Sequence, residues 1–316
     1  MPAEPPPGPK RVKLPVKQLL LVLGVVATAY AATLLIWGDS PRSSLAWLVS
    51  WTGLQAGALC LLNYLLRGMR WRLWMAHYGR HFGPLQGLRL YLAGYAFTPT
   101  PGNVGEAVRG LMLARHPLGA RQSLAIFGAE RLADLLCLLL LCLPAVGWAW
   151  QRYGLQAAPS WLAGLLAGCA LAALAACGLL FKSRAARLQR LDLLHDAWRC
   201  LSVRPQVWFA LTLAAWAAQG VAVWLICGDN GLALGLLEAG SFYALAMIAG
   251  ALSALPAGLG GTEAVLTGLL AAQGATTAQA LAITVLARLI TLWLAVAIGI
   301  VALLYSAAIA KEISFR

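Results

Sequence analysis

Acidic residues are scarce in this chain: 11 Asp and Glu stand against 24 Lys and Arg in 316 residues, and charged residues of both signs make up only 11%. Soluble globular domains carry about 25% charged residues, so this composition is not that of a surface built for water. Metal-site spacing is missing as well. His77, His81, His116 and His195 have no ligand spacing, and the seven cysteines form no CxxC pair and are odd in number. Both facts argue against a zinc site and a disulfide framework, and no metal or cofactor is expected. No His/Asp/Ser constellation or nucleotide-binding loop is present, so an enzyme is not expected either. The net charge of +13 is not gathered into one basic block but lies at the ends of apolar runs. Such placement argues against nucleic acid as a partner and reads as a set of topology signals.

What fills the chain is apolar: 61% of residues are hydrophobic. Runs near 18–37, 44–66, 122–149, 159–181, 206–227 and 279–308 each approach or exceed the roughly 20 residues needed to cross a ~30 Å hydrocarbon core. Two shorter runs, 84–98 and 241–255, end at Pro/Gly clusters and are too short to cross. If each enters halfway, breaks and returns, the chain is an all-α polytopic membrane protein with six full transmembrane helices and two re-entrant helical hairpins. The longest stretch without a spanning run, about 182–205, is too short for a soluble domain. A single membrane domain over 17–310 is therefore expected between a disordered Pro-rich tail, 1–16, and a short tail, 311–316. Ala29-Tyr30-Ala31 looks like a signal-peptidase site, but the apolar run continues past it to Trp37, which favours an uncleaved first helix.

Assigning Lys10, Arg11, Lys13 and Lys17 to the cytoplasm puts nearly every other loop Lys and Arg there too, leaving Arg42 and Arg152 outside. That bias sets the orientation, with both termini cytoplasmic. Segment 183–200 mixes Arg184, Arg187 and Arg190 with Leu188, Leu191 and Leu194, a pattern suited to an amphipathic helix on the inner surface or to a solvated connector. In 63–75, Arg67, Arg70, Trp71, Arg72 and Trp74 read as an interfacial anchor, or, for Arg67 and Arg70, as the mouth of a cavity gathering acidic head groups.

Sliding the chain against itself by 157 positions aligns two segments without a gap. Pro99 meets Pro256, Glu106-Ala107-Val108 meets Glu263-Ala264-Val265, Gln122 meets Gln279, and Arg131 meets Arg288. Rare residue types at identical spacing mark an internal repeat, with units of about 84–149 and 241–306. Three expected crossings separate the copies, so the repeat is inverted. Paired broken helices in inverted repeats are a recurring transporter design, in which the breaks set backbone dipoles beside a substrate at mid-membrane.

Each unit supplies a Gly-rich break, a Glu on the returning half-helix and an Arg 25 residues later. Half-helix N-termini near Asn103 and Gly260 are expected to face the membrane centre with their positive dipole ends. Gly102, Gly105, Gly258, Gly260 and Gly261 permit close backbone approach to a ligand, and Arg131 and Arg288 are forked donors matched to phosphate. Charges at that depth are costly and are usually functional. The competing account is a structural ion network, in which Glu130, Asp134, Glu106 and Glu263 neutralise the arginines, the last two across the repeat interface. Arg67, Arg70, Arg109, Glu130 and Asp134 are candidates for the cavity entrance or for coupling.

Four ordered motifs carry a family likeness: Arg67-Gly68-Met69-Arg70-Trp71, Pro101-Gly102-Asn103-Val104-Gly105-Glu106, Glu130-Arg131-Leu132-Ala133-Asp134, and Pro256-Ala257-Gly258-Leu259-Gly260-Gly261-Thr262-Glu263. Together they resemble the lysylphosphatidylglycerol synthase transmembrane, or flippase-like, family over nearly the whole chain after residue 15. The resemblance implies movement of membrane lipids with phosphate head groups, such as a polyprenyl phosphate or an aminoacyl phospholipid, between leaflets of the bacterial inner membrane. It is compatible with a homo-oligomer and with a lipid-modifying enzyme as partner. Relatives often carry a basic residue where this chain has Asn103-Val104. The soluble aminoacyl-transfer domain of two-domain members is not part of this sequence, so synthesis of lysyl lipid is not expected of it.

Overall fold

The computed structural model describes Thr28, residues 46–100, Asn103, Glu106, Ala107, Arg109, and residues 118–153, 184–253 and 255–314, with backbone alone for 184–191 and 309–314. The tail at 1–16, the run at 18–37 apart from Thr28, the run at 159–181, and Gly102 and Gly105 lie outside the described residues. Those that are described form helices and connecting turns, with no strand among them. In chain order the helices are α1 (Trp51–His77), α2 (Pro84–Ala93), α3 (Ala120–Leu141), α4 (Leu143–Tyr153), α5 (Arg184–Ser202), α6 (Pro205–Asp229), α7 (Leu236–Leu252), α8 (Gly261–Ala272), α9 (Thr277–Arg288) and α10 (Leu294–Ser314). A 3-10 turn, Gly94–Phe97, extends α2, and a π turn, Leu289–Trp293, joins α9 to α10.

Among the described residues three helical stretches, Ala120–Arg152, Pro205–Asp229 and Thr277–Ala308, are long and apolar enough to cross a membrane. On α3, Leu132, Leu135, Leu136, Leu139 and Leu140 are all exposed, a continuous apolar face that suits hydrocarbon and not water. The first stretch bends at Cys142, where α4 opens with Pro144 at its second position; proline lacks the N–H that a continuing helix would use. The segment expected as a tail from 311 continues α10 as helix to Ser314.

Helix ends follow local chemistry. Ser50 caps α1 by accepting from the Gly53 N–H at 3.1 Å, satisfying one of the orphan donors of the first turn. At its other end the Gly79 N–H donates to Ala76 O and the Arg80 N–H to Met75 O, with Gly79 at φ 71°. This is a Schellman closure, which needs the left-handed conformation glycine adopts freely. Gly231 (φ 76°) ends α6 by the same pair of bonds.

The centre of the bundle is α1 against α6. Ala56, Cys60, Ala215, Ala222 and Ile226 are fully buried there, and Asn63 Nδ2 donates to Ala215 O at 2.7 Å. Small residues let α6 approach α7 closely: a Cβ on Gly220 would stand 3.0 Å from Gly240 Cα. Close crossings of this kind supply the van der Waals contact that holds helices together in lipid.

The structure corrects the reading of 63–75 as an interfacial anchor. The sequence 51–77 is one uninterrupted helix, and Arg67, Arg70, Trp71 and Trp74 are buried inside the bundle. An arginine at the end of an apolar run resembles a topology signal until its distant carboxylate partner is known. Helix α5, Arg184–Ser202, shows that this segment is helical, one of the two readings its sequence allowed. It rests on α3, where a Cβ on Gly128 would meet Ala197 at 3.7 Å, and leaves Leu194 and Trp198 exposed. Arg121 pins it from α3, its Nε donating to Asp196 Oδ2 at 2.7 Å.

Candidate functional site

Two interruptions of helix converge on the middle of the bundle. In the second of the two segments that the sequence aligns, α7 ends at Leu252, Pro256 follows, and Ala257, Gly258 and Gly260 all have positive φ before α8 starts at Gly261. Gly258 and Gly261 are tight against α7. A Cβ at Gly258 would lie about 3 Å from the Gly250 backbone, and one at Gly261 would lie 3.0 Å from Ser253 Cβ. Their close approach is therefore to the neighbouring helix, while Gly260 supplies the left-handed turn, φ 83°. Glu263, at the third position of α8, accepts from the Gly260 N–H at 2.7 Å, a capping-box contact.

In the first unit, Asn103 occupies the position of Gly260 and shares its positive φ, at 56°; Asn tolerates that conformation better than most side chains. Glu106 accepts from Thr98 Oγ1 at 2.8 Å. Gln122 and Gln279 both stand at the third position of their helices, α3 and α9. Each glutamate also reaches the arginine of its own unit. Glu106 Oε2 lies 3.6 Å from Arg131 Nη2, and Glu263 Oε1 accepts from Arg288 Nε at 2.8 Å. The sequence reading had the glutamates pairing across the repeat interface. In the structure each pairs instead with the arginine 25 residues further along the chain.

Around the first pair stands a buried ion network. Asp134 accepts from Arg67 Nη2 at 2.6 Å, Arg70 Nη1 at 2.7 Å and Trp216 Nε1 at 3.2 Å, with Arg131 Nη2 at 3.3 Å. Arg109 bridges Glu106 at 2.6 Å and Glu130 at 3.0 Å, and its guanidinium stacks over Tyr91, 4.4 Å from the ring centroid. Arg70 also donates to Thr212 Oγ1 at 2.9 Å. In the second unit Arg288 Nη2 donates to Ala257 O at 2.7 Å. Mutual pairing and hydrogen bonding are what allow such charges to be buried.

A cavity of about 80 Å³ opens between the two breaks. Thr98, Asn103 and Glu106 line it from one side, Ala257 from the other, and Arg67, Arg131 and Arg288 all reach it. Against it lies a larger chamber of about 320 Å³, which shares Asn103, Arg131, Trp216, Met247 and Ala257 with the first and is otherwise walled mainly by apolar side chains such as Leu135, Leu138, Ile248, Leu252 and Leu255, with Asp134 and Thr262 among them. Of the candidates named from sequence, Arg67, Arg131, Arg288, Glu106, Asn103, Gly258 and Asp134 line one chamber or the other. Arg70, Arg109 and Glu130 stand behind the wall as their ion partners. Glu263 orients Arg288 from outside the lining.

Sequence reasoning passed over the neutral polar residues of the same wall: Tyr64, Tyr95, Gln219, Tyr243 and Thr291. Tyr243 Oη donates to Gln219 Oε1 at 3.2 Å, and Tyr64 Oη reaches Ile290 O and Thr291 O at 3.2 and 3.1 Å. Asn63 and Gln219, isolated amides inside apolar runs, were the signal available, since an uncharged polar group in mid-span also needs a partner.

Fold and site together define a multi-pass helical membrane protein with an arginine-lined cavity among its helices. The chain belongs to the lysylphosphatidylglycerol synthase TM region family, whose model matches residues 19–299. A search of curated proteins finds no match.

Proposed function

We propose that this chain is a flippase-type lipid transporter, moving an anionic or zwitterionic lipid phosphate between leaflets of a bacterial inner membrane, with both termini cytoplasmic. In this reading six full crossings and two re-entrant hairpins form an inverted repeat, and the hairpins exchange conformations around a central site. The head group passes Arg131 and Arg288 while the tails stay in hydrocarbon. The observation that carries the proposal is that Arg131 and Arg288, with Arg67, line one small cavity that adjoins a mainly apolar chamber. A polar pocket joined to an apolar one has the amphiphilic character of a lipid. The arginine forks suit phosphate oxygens, and irregular backbone at that depth belongs beside a polar cavity. Membership of a lipid-linked membrane family agrees with this reading.

We read the chain as a transporter rather than as an enzyme or a lipid-binding scaffold, and leaflet exchange separates these. Purified protein in liposomes carrying labelled undecaprenyl phosphate or aminoacyl-phosphatidylglycerol is expected to speed exchange of at least one of them over protein-free vesicles. Binding without exchange for every lipid tried would leave the scaffold reading in its place.

A further inference from the structure

The charges around the cavity do not cancel. Among the described residues the connected set comprises Arg67, Arg70, Arg109 and Arg131 against Glu106, Glu130 and Asp134, which leaves one positive charge in excess, while the fifth arginine, Arg288, is balanced in a separate pair with Glu263. Geometry says where it sits. Glu106 is held by Arg109 at 2.6 Å and is 3.6 Å from Arg131. Asp134 is held by Arg67 and Arg70 at 2.6 and 2.7 Å and is 3.3 Å from Arg131. Arg288 is engaged by Glu263, Ala257 O and Met247 Sδ.

Arg131 is thus the arginine whose carboxylates are already claimed. It is also the most open of the five, with a side chain 32% exposed, and it lines both chambers. Its Nε and Nη2 are buried and make no hydrogen bond among the described residues, although Nη2 lies within ion-pair distance of Asp134 and Glu106. Thr262 Oγ1, fully buried in the wall of the larger chamber, is likewise without a hydrogen-bond partner among them.

Resting on the lipid-phosphate reading, we infer that Arg131 is the anion-receiving group and that the site selects a head group contributing one negative charge, a phosphodiester, over a phosphomonoester. A phosphodiester balances the surplus and supplies two oxygens for the unsatisfied Arg131 donors and the Thr262 hydroxyl. A phosphomonoester has a second pKa near 6 and carries about −1.5 to −2 at pH 7, so it brings a second buried negative charge with no counter-ion. Unpaired buried charge is strongly disfavoured.

The test is calorimetric titration of the full chain in detergent with dioctanoyl phosphatidylglycerol, a diester, and dioctanoyl phosphatidic acid, a monoester, at about pH 5 and about pH 8. The diester is expected to bind alike at both values, and the monoester to weaken by about tenfold or more on deprotonation. Arg131→Gln is expected to lose both lipids. Glu130→Gln, which adds one net positive charge behind the wall, is expected to restore monoester binding at the higher pH; Arg131→Lys, which keeps the charge and folds under the same constraints, is expected to retain the diester preference. Glycerophosphoglycerol in a parallel titration separates the sources: binding of the lipid alone assigns the ligand to the membrane, and the same diester preference among soluble esters upholds the charge rule for a free phosphodiester. Monoester binding as tight as diester binding at the higher pH overturns this inference while leaving the lipid-phosphate reading standing. Binding of neither lipid overturns both.

Discussion

Replacing Asp134 with Asn keeps the shape of the side chain and removes one charge, which makes it the sharpest perturbation of the buried network. Asp134 accepts from Arg67, Arg70 and Trp216 within 3.2 Å and has Arg131 at 3.3 Å, and it is almost wholly buried. At an effective dielectric constant near 20, one unit-charge pair about 4 Å apart is worth about 4 kcal/mol gross; most of that is offset by the cost of taking both ions out of water. Removing one partner forfeits the attraction and keeps the desolvation of the others, a loss of about 3–5 kcal/mol for a buried pair. Asp134→Asn is therefore expected to destabilise the protein by about that amount, read as the equilibrium between folded and unfolded protein in detergent. Coupling it with Arg67→Met, which removes the nearest cation, is expected to recover a large part of the loss. The exposed pair Arg121 and Asp196 is the control, and Arg121→Ala is expected to leave stability unchanged. A loss under about 1 kcal/mol for Asp134→Asn, the value of an ordinary neutral hydrogen bond, would refute the idea that the network is held by opposed buried charges.

Gly260→Ala forces a Cβ into a backbone at φ 83° and is expected to cost about 1–2 kcal/mol, whereas Asn103→Gly at the matching turn should be close to neutral; thermal unfolding of both in detergent checks the contrast. Tyr64→Phe removes the hydroxyl that reaches Ile290 O and Thr291 O of the π turn and is expected to lower stability by about 0.5–1.5 kcal/mol. On α5, burial pushes the Cys200 thiol above its ordinary pKa, with Tyr78 Oη 3.6 Å away. The thiolate is the reactive form, so iodoacetamide at about pH 8 should leave Cys200 largely unlabelled in folded protein and label it on unfolding. Equal labelling in the two states, by peptide mapping, would show that the side chain is not shielded there.

Much of the helical layout is legible from apolar runs, and the run 206–227 falls within α6, Pro205–Asp229. Proline and glycine locate the break before α8, where Gly260 caps the helix at the place the sequence suggests. Arg67 and Arg70 show what sequence hides. A positive charge at the end of an apolar run has one appearance whether it meets lipid phosphates or a carboxylate 64 or 67 residues away. The rare-residue repeat named Glu106, Glu263, Arg131 and Arg288, but not their inequality. Arg288 is nearly inaccessible and fully engaged, Arg131 open and shared, and that difference depends on Arg109, whose leucine counterpart, Leu266, packs in the apolar core. Local spacing carries the pairings within a unit; the cavity's polar wall depends on helix crossings that spacing does not encode.

The most direct measurement is mass spectrometry of the lipids that copurify with wild-type protein and with Arg131→Gln after identical washing in detergent. Phosphate-bearing lipid retained by the wild type and depleted in the variant is the expected result. Equal retention by both, or only phosphate-free lipid on the wild type, would contradict a head-group site at Arg131.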